Sequence, residues 1–258
     1  MSQRAHAGHV GSALSCAELL VALKFAWMRD DDTLLLSKGH AVAVLYSLLA
    51  EVNVLTPSQI DSYRADGTEL PAHPPFNTFK EIPFATGSLG HGLSLSAGMA
   101  LGARLKGLSQ RFFCVTSDGE LDEGSVWEAA LFIAHRKLDN LVWLIDRNGI
   151  QGIGRTEEIL ALEPLDAKLR AFGYQVVVTD GHDFASLLRA RDECTRLLGA
   201  RRLPVAVIAN TVKGHGLGPL ADTVDCHYLP LDEEQYDRAL SELTRAHRAR
   251  LNGYRNAG

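Results

Sequence analysis

RFFCVTSDGELDEGSVWEAALFIAHRKLDNLVWLIDRNGIQ, residues 111–151, holds a complete strand–helix–strand unit. Residues 111–116 are a short apolar run rich in aromatic and β-branched side chains, closed by the polar turn SDGELDEG at 117–124. SVWEAALFIAHR at 125–136 has the length and pattern of a helix, LVWLID at 141–146 is a second strand, and RNGIQGIG at 147–154 is a second turn. Strands this apolar are buried on both faces, which predicts a parallel sheet covered by helices. Asp118 and Asn148 each follow a strand directly. If the strands are neighbours in a right-handed crossover, both side chains project from the carboxyl edge, where ligands of such sheets bind. A carboxylate, an amide oxygen and a backbone carbonyl from the following loop make a hard oxygen set, suited to Mg²⁺ shared with phosphate oxygens. Gly119 lets that turn pass close to a phosphate. Asp-Gly and Asn-Gly are equally ordinary turn signals, so both readings stand at this level.

Working outward, TLLLS at 33–37, QVVVTD at 175–180 and VAVIAN at 205–210 read as further strands. Helices are expected over 15–28, opened by a Ser15 cap with Glu18 completing a capping box, and over 41–51. Others run from the Gly/Ser turn at 85–96 to about Lys106, over 183–199, and as a charged amphipathic helix over about 232–250. The turn-rich stretch from Thr56 to Pro83 is too long for an ordinary connection and is expected to line a site. The expectation is a single α/β domain over 1–258, a mostly parallel sheet with helices on both faces. The 258 residues are 46% hydrophobic, enough for such a core. A net charge of −5 weighs against nucleic acid or a polybasic membrane surface as partner. Cys16, Cys114, Cys194 and Cys226 form no CxxC pair, and no signal pattern or long apolar span appears, so a cytoplasmic globular protein is expected.

Two weaker signals concern anions and protons. Gly87, Gly90 and Gly92 precede a helix, an arrangement that lets backbone N–H groups approach an anion, although neither a P-loop lysine nor a dinucleotide fingerprint is present. His9, His40, His73, His91, His215 and His227 sit in turns beside small residues or prolines. No HExxH spacing supports zinc, and no GxSxG elbow supports a hydrolase. Uncharged imidazoles around a phosphorylated cofactor can donate hydrogen bonds and move protons near neutral pH. Packed turn histidines with no such role are the alternative.

AGHVGSALS at 7–15, LSKGHA at 36–41, AHP at 72–74, TGSLGHGLS at 86–94, SDGELDEGSVWEAA at 117–130 and KLDNLVWLIDRNGIQ at 137–151 occur in this order. Together they resemble the N-terminal, thiamine diphosphate-binding half of transketolases, and specifically the smaller chain of a split transketolase. The resemblance implies the thiamine diphosphate-binding fold, with Asp118, Asn148 and the carbonyl of Ile150 as ligands of Mg²⁺. It implies that Gly119, His40 and His227 lie beside the diphosphate, and that Gly87, Ser88, Leu89 and Gly90 form a loop over the cofactor. His9 and His73 would face the reacting centre and the sugar, and Glu123 would join two active sites across a dimer. Ser117, His91 and Ile153 depart from the family's usual glycine, glutamine and aspartate. In the family, the activating glutamate and the arginines gripping a sugar phosphate belong to the second half. The resemblance therefore implies a chain inactive alone, working with a pyrimidine-binding partner chain in an α₂β₂ complex. The implied activity is transfer of a two-carbon ketol unit from a ketose donor, phosphorylated or not, to an aldose acceptor. Alternatives are a specialised pathway enzyme using a non-standard sugar or keto acid, and a non-catalytic regulatory or scaffold protein.

Overall fold

Thr33–Leu36 (β1), Phe112–Ser117 (β2), Leu141–Arg147 (β3), Gln175–Asp180 (β4) and Val205–Asn210 (β5) form one sheet in the order β1-β2-β3-β5-β4. Every pairing is parallel. The structure is a computed structural model that describes residues 1–201 and 203–256. Its helices are Val10–Ser15 (α1), Ala17–Ala22 (α2), Val42–Glu51 (α3), Pro57–Asp61 (α4), Gly92–Leu105 (α5), Gly124–Arg136 (α6), Thr156–Ile159 (α7), Leu165–Ala171 (α8), Phe184–Arg201 (α9), Asp225–Tyr228 (α10) and Glu233–Asn256 (α11).

Alternation along the strands divides the core into two layers. Phe113, Val115, Val142, Leu144, Val205 and Val207 point to one face, against Leu19 and Leu20 of α2, Leu45 and Leu49 of α3, and Leu187 of α9. Phe112, Cys114, Trp143, Ile145, Ala206 and Ile208 point to the other, against Leu93 of α5, Val126 and Ile133 of α6, and Leu169 of α8. The expected α/β architecture with helices on both faces is present, and the sheet is parallel throughout. Burial on both faces explains why the strands read as near-continuous apolar runs. No helix among the described residues is long and apolar enough to cross a membrane.

Two sequence expectations need correction. The N-terminal helix does not run from 15 to 28 and Ser15 does not cap it. The chain forms α1 and α2, breaking at Cys16, and ends in a wider turn over Leu23–Trp27. The Ser15 hydroxyl instead donates to Asp146 Oδ2 at 2.5 Å, and the Ser12 carbonyl accepts from Lys38 Nζ at 3.0 Å. These tertiary bonds outcompete the local cap. The last helix extends beyond residue 250, to Asn256.

Candidate functional site

The carboxyl ends of β1, β2, β3 and β5 open on one cleft of about 290 Å³. β2 delivers Ser117, Asp118 and Gly119; β3 delivers Asn148, Ile150 and Gln151; the loop after β5 delivers Lys213; and the turn after β1 delivers His40. His9, which opens α1 with a left-handed φ of 63°, enters from the N-terminus. His73 enters from the long irregular stretch, as expected of it, and His227 and Tyr228 from α10.

A buried ion pair lies beneath the cleft. Lys38 and Asp146 are in contact, and both side chains are 0% exposed. Asp146 Oδ2 also accepts from Ser15 and, at 3.2 Å, from Asn148 Nδ2, while Oδ1 accepts from the Thr211 hydroxyl. Burial opposes the charge on both partners, yet the mutual contact wins: Lys38 is raised above its ordinary range and Asp146 is lowered. The pair thereby fixes the Asn148 amide. Asn148 turns its Oδ1 toward the Ile150 N–H, which donates at 3.1 Å.

Asp118 is buried at the end of β2, with its N–H bonded to the Asp146 carbonyl at 3.1 Å. Its Oδ1 accepts from the Gly119 N–H at 2.8 Å, and its Oδ2 from the Gly149 N–H at 2.6 Å and Arg147 Nη1 at 2.8 Å. Burial, reinforced by Asp146, raises its carboxyl above the usual range despite these donors. Lys213 is buried too, and Nζ donates to the Ile150 carbonyl at 2.8 Å. Burial and then Lys38 push its ammonium down to about 8.

The imidazoles converge. The rings of His9, His40 and His227 lie with centroids 5.4, 5.0 and 5.4 Å apart, and the Tyr228 ring closes on His227 at 4.4 Å. Burial is the main cause that lowers all three, followed by Lys38 for His40, by Lys213 for His227 and by His73 for His9. His227 is pushed to about 3. The rings are therefore neutral at physiological pH, each with one donor and one acceptor nitrogen. His227 Nδ1 is buried without a protein partner, an unmet hydrogen-bonding group in a residue that lines the cleft. That orphan nitrogen, with the hard oxygens of Asp118, Asn148 and Ile150, fits a diphosphate and a divalent cation.

Of the residues singled out from sequence, His9, His40, His73, Gly87, Leu89, Asp118, Gly119, Asn148, Ile150 and His227 line the cleft. Gly87 lies close against His73, where a Cβ would sit 3.1 Å from Cδ2 and the ring would have to give by a few tenths of an ångström. Ser88 is exposed beside the cleft rather than in it, and Gly90 is buried behind it with its N–H donating to Glu120 Oε1 at 2.9 Å. Glu123 is exposed where α6 begins, outside the cleft lining. Sequence reasoning missed Lys38, Lys213, Tyr228 and Glu120. LSKGHA and the VKGHG at 212–216 contained both lysines, but only folding reveals that their charges are buried. A separate group, Glu18, His182 and His215, brings metal-ligand atoms together elsewhere. His182 Nδ1 faces Glu18 Oε2 at 3.1 Å and its Nε2 accepts from the Val212 N–H at 2.8 Å. Both nitrogens are thus engaged, which disfavours a metal there.

A parallel α/β sheet with hard oxygen donors at adjacent strand ends and neutral imidazoles above them defines a diphosphate-cofactor-binding domain. Residues 1–246 match the family model of the transketolase thiamine diphosphate binding domain. The chain belongs to this family and is one component of a thiamine diphosphate-dependent transferase. It is 38% identical over 245 residues to the 6-deoxy-6-sulfo-D-fructose transketolase subunit SqwG of a Clostridium species, covering 92% of this chain and 88% of that protein. It is 35% identical over 245 residues to an apulose-4-phosphate transketolase subunit of Actinobacillus succinogenes, covering 92% of this chain and 87% of that protein. The transketolase structure from Campylobacter jejuni superposes with a TM-score of 0.87 at 28% identity, over 93% of this chain but 40% of that one. The chain thus spans the length of split subunits and less than half of single-chain transketolases.

Proposed function

We propose that this chain is the diphosphate-binding subunit of a two-subunit transketolase, moving a two-carbon ketol unit from a ketose donor to an aldose acceptor. The observation that carries the reading is the meeting of Asp118, Asn148 and the Ile150 carbonyl with three neutral histidines at one edge of the sheet. Asp118, Asn148 and Ile150 would hold Mg²⁺, with His40, His227, Gly119 and Lys213 beside the diphosphate. When bound, thiamine diphosphate supplies the carbanion chemistry of the transfer. His9 and His73 line the same cleft, and would accept and return protons of substrate hydroxyls. Their lowered affinity for protons, set first by burial, keeps them in the neutral form that such exchange needs. The partner would be a pyrimidine-binding chain in an α₂β₂ complex, with Glu123 at a contact between subunits. Buried cysteines accord with a cytoplasmic setting.

A second observation bears on the substrate. His9 and His73 line the cleft as neutral imidazoles, a surface suited to the hydroxyls of a sugar. The names of the split relatives, which carry a sulfo sugar and a sugar phosphate, support a non-standard ketose as the second reading of the donor. Co-purification with a pyrimidine-binding chain, light scattering and a ketol-transfer assay across phosphorylated, sulfonated and neutral ketoses test the proposal. Full turnover by this chain alone would overturn the two-subunit reading.

A further inference from the structure

Every protein atom offered to a divalent cation in the cleft already accepts a hydrogen bond, and two of the donors are cations. Asp118 Oδ2 accepts from Arg147 Nη1 at 2.8 Å, with the Gly149 N–H at 2.6 Å and the Thr156 hydroxyl at 3.2 Å on the same oxygen. The Ile150 carbonyl accepts from Lys213 at 2.8 Å, and Asn148 Oδ1 from a backbone N–H at 3.1 Å. Arg147 is itself anchored from the outside, by Glu157 at 2.6 Å and Glu163 at 3.2 Å. Its guanidinium fork therefore spans from the surface carboxylates to the buried one. The Arg147 side chain is 12% exposed and that of Asp118 only 1%, so water screens the inner contact little.

We propose that Arg147 is a positioning residue that makes metal loading depend on the diphosphate. This rests on the reading of Asp118, Asn148 and Ile150 as the metal-holding set. The guanidinium fixes the rotation of the Asp118 carboxylate, leaving Oδ1 with a single donor, the Gly119 N–H at 2.8 Å. It also cancels the charge that would attract a bare cation. A divalent ion arriving alone meets a carboxylate already paired and, at Ile150, a second positive group. A diphosphate arriving with the ion offsets that repulsion, so anion and cation load together. Arginine suits the task because its planar fork serves the buried carboxylate and the two outer ones at once without losing its charge.

The test uses the full chain and Mn²⁺ as probe, with free Mn²⁺ followed by electron paramagnetic resonance, alone and with saturating thiamine diphosphate. The wild type is expected to bind bare Mn²⁺ weakly and at least about tenfold more tightly with the cofactor. R147M should tighten bare Mn²⁺ binding by about tenfold and shrink the gain that the cofactor brings. R147Q, which keeps hydrogen bonding without charge, should follow R147M, whereas R147K, which keeps the charge without the fork, should keep bare Mn²⁺ binding weak. A merely structural role would loosen both binding steps in R147M and R147Q. Unchanged or weaker bare Mn²⁺ binding in the folded neutral variants, checked by their melting curves, would overturn the proposal. Absence of Mn²⁺ binding in the wild type even with cofactor would overturn the metal-site reading beneath it.

Discussion

Replacing Lys38 by methionine keeps the stem that fills its place in the core and removes the ammonium from a site where neither partner is exposed. Asp146 is then left with hydroxyl donors from Ser15 and Thr211 and the Asn148 amide, but no cation. Breaking a buried pair by deleting one member costs about 3–5 kcal/mol, because the survivor is an uncompensated buried charge. The three remaining donors place K38M at the low end, about 3 kcal/mol. At about 2–4 °C per kcal/mol for a domain of this size, the melting temperature should fall by roughly 6–12 °C. The double variant K38M/D146N removes the stranded charge and should recover about half of the loss or more. Urea unfolding of the wild type and the three variants K38M, D146N and K38M/D146N measures the coupling directly. A K38M cost below about 1 kcal/mol, with no recovery in the double variant, would refute the reasoning that the pair is a charge-compensated unit.

Asp118→Ala should weaken thiamine diphosphate binding in the presence of Mg²⁺ by about 1.5–3 kcal/mol, roughly 10- to 150-fold, with Asn148→Ala milder. Calorimetric titration with and without Mg²⁺ measures it, and unchanged metal-dependent affinity in D118A would contradict the ligand assignment. His9→Ala and His73→Ala should lower turnover of the assembled enzyme by about 10²–10⁴-fold while leaving cofactor affinity nearly intact. His40→Ala should show part of its loss as weaker cofactor binding, and full activity in H9A would end the proton-handling reading. His227 is held at about 3 in the fold against an ordinary 6.5, so the unfolded chain binds a proton that the folded one refuses. The stability it contributes is complete above about 6.5 and is lost as pH falls toward 3. The slope is at most about 1.4 kcal/mol per pH unit, and less because the ring is only partly buried. Burial raises Asp118 and Glu120, whose linkage has the opposite sign, so the comparison is between wild type and H227Q, which should show the flatter acid limb. Identical pH profiles of the melting temperature would refute the burial of a neutral ring at that position.

Apolar runs separated by polar turns were sufficient to read the strands, because a strand buried on both faces leaves no room for polar side chains. The same local logic put Asp118 and Asn148 at strand ends, and their spacing became a shared edge once β2 and β3 paired side by side. His9, His40, His73 and His227 were visible as histidines in turns, but their convergence is a tertiary fact, since 218 positions separate His9 from His227 while their rings are 5.0 Å apart. Local capping chemistry failed at Ser15, whose hydroxyl found a stronger, charged acceptor 131 positions away. Nothing in the sequence sets Lys38, Lys213 and Arg147 apart from solvated charges, the ordinary state of such residues. Only the fold removes water from around them and sets each against a particular oxygen, and that desolvation turns three unremarked cations into the electrostatic floor of the site. Periodicity is a property of neighbours along the chain, whereas burial of charge depends on which distant segments close over it.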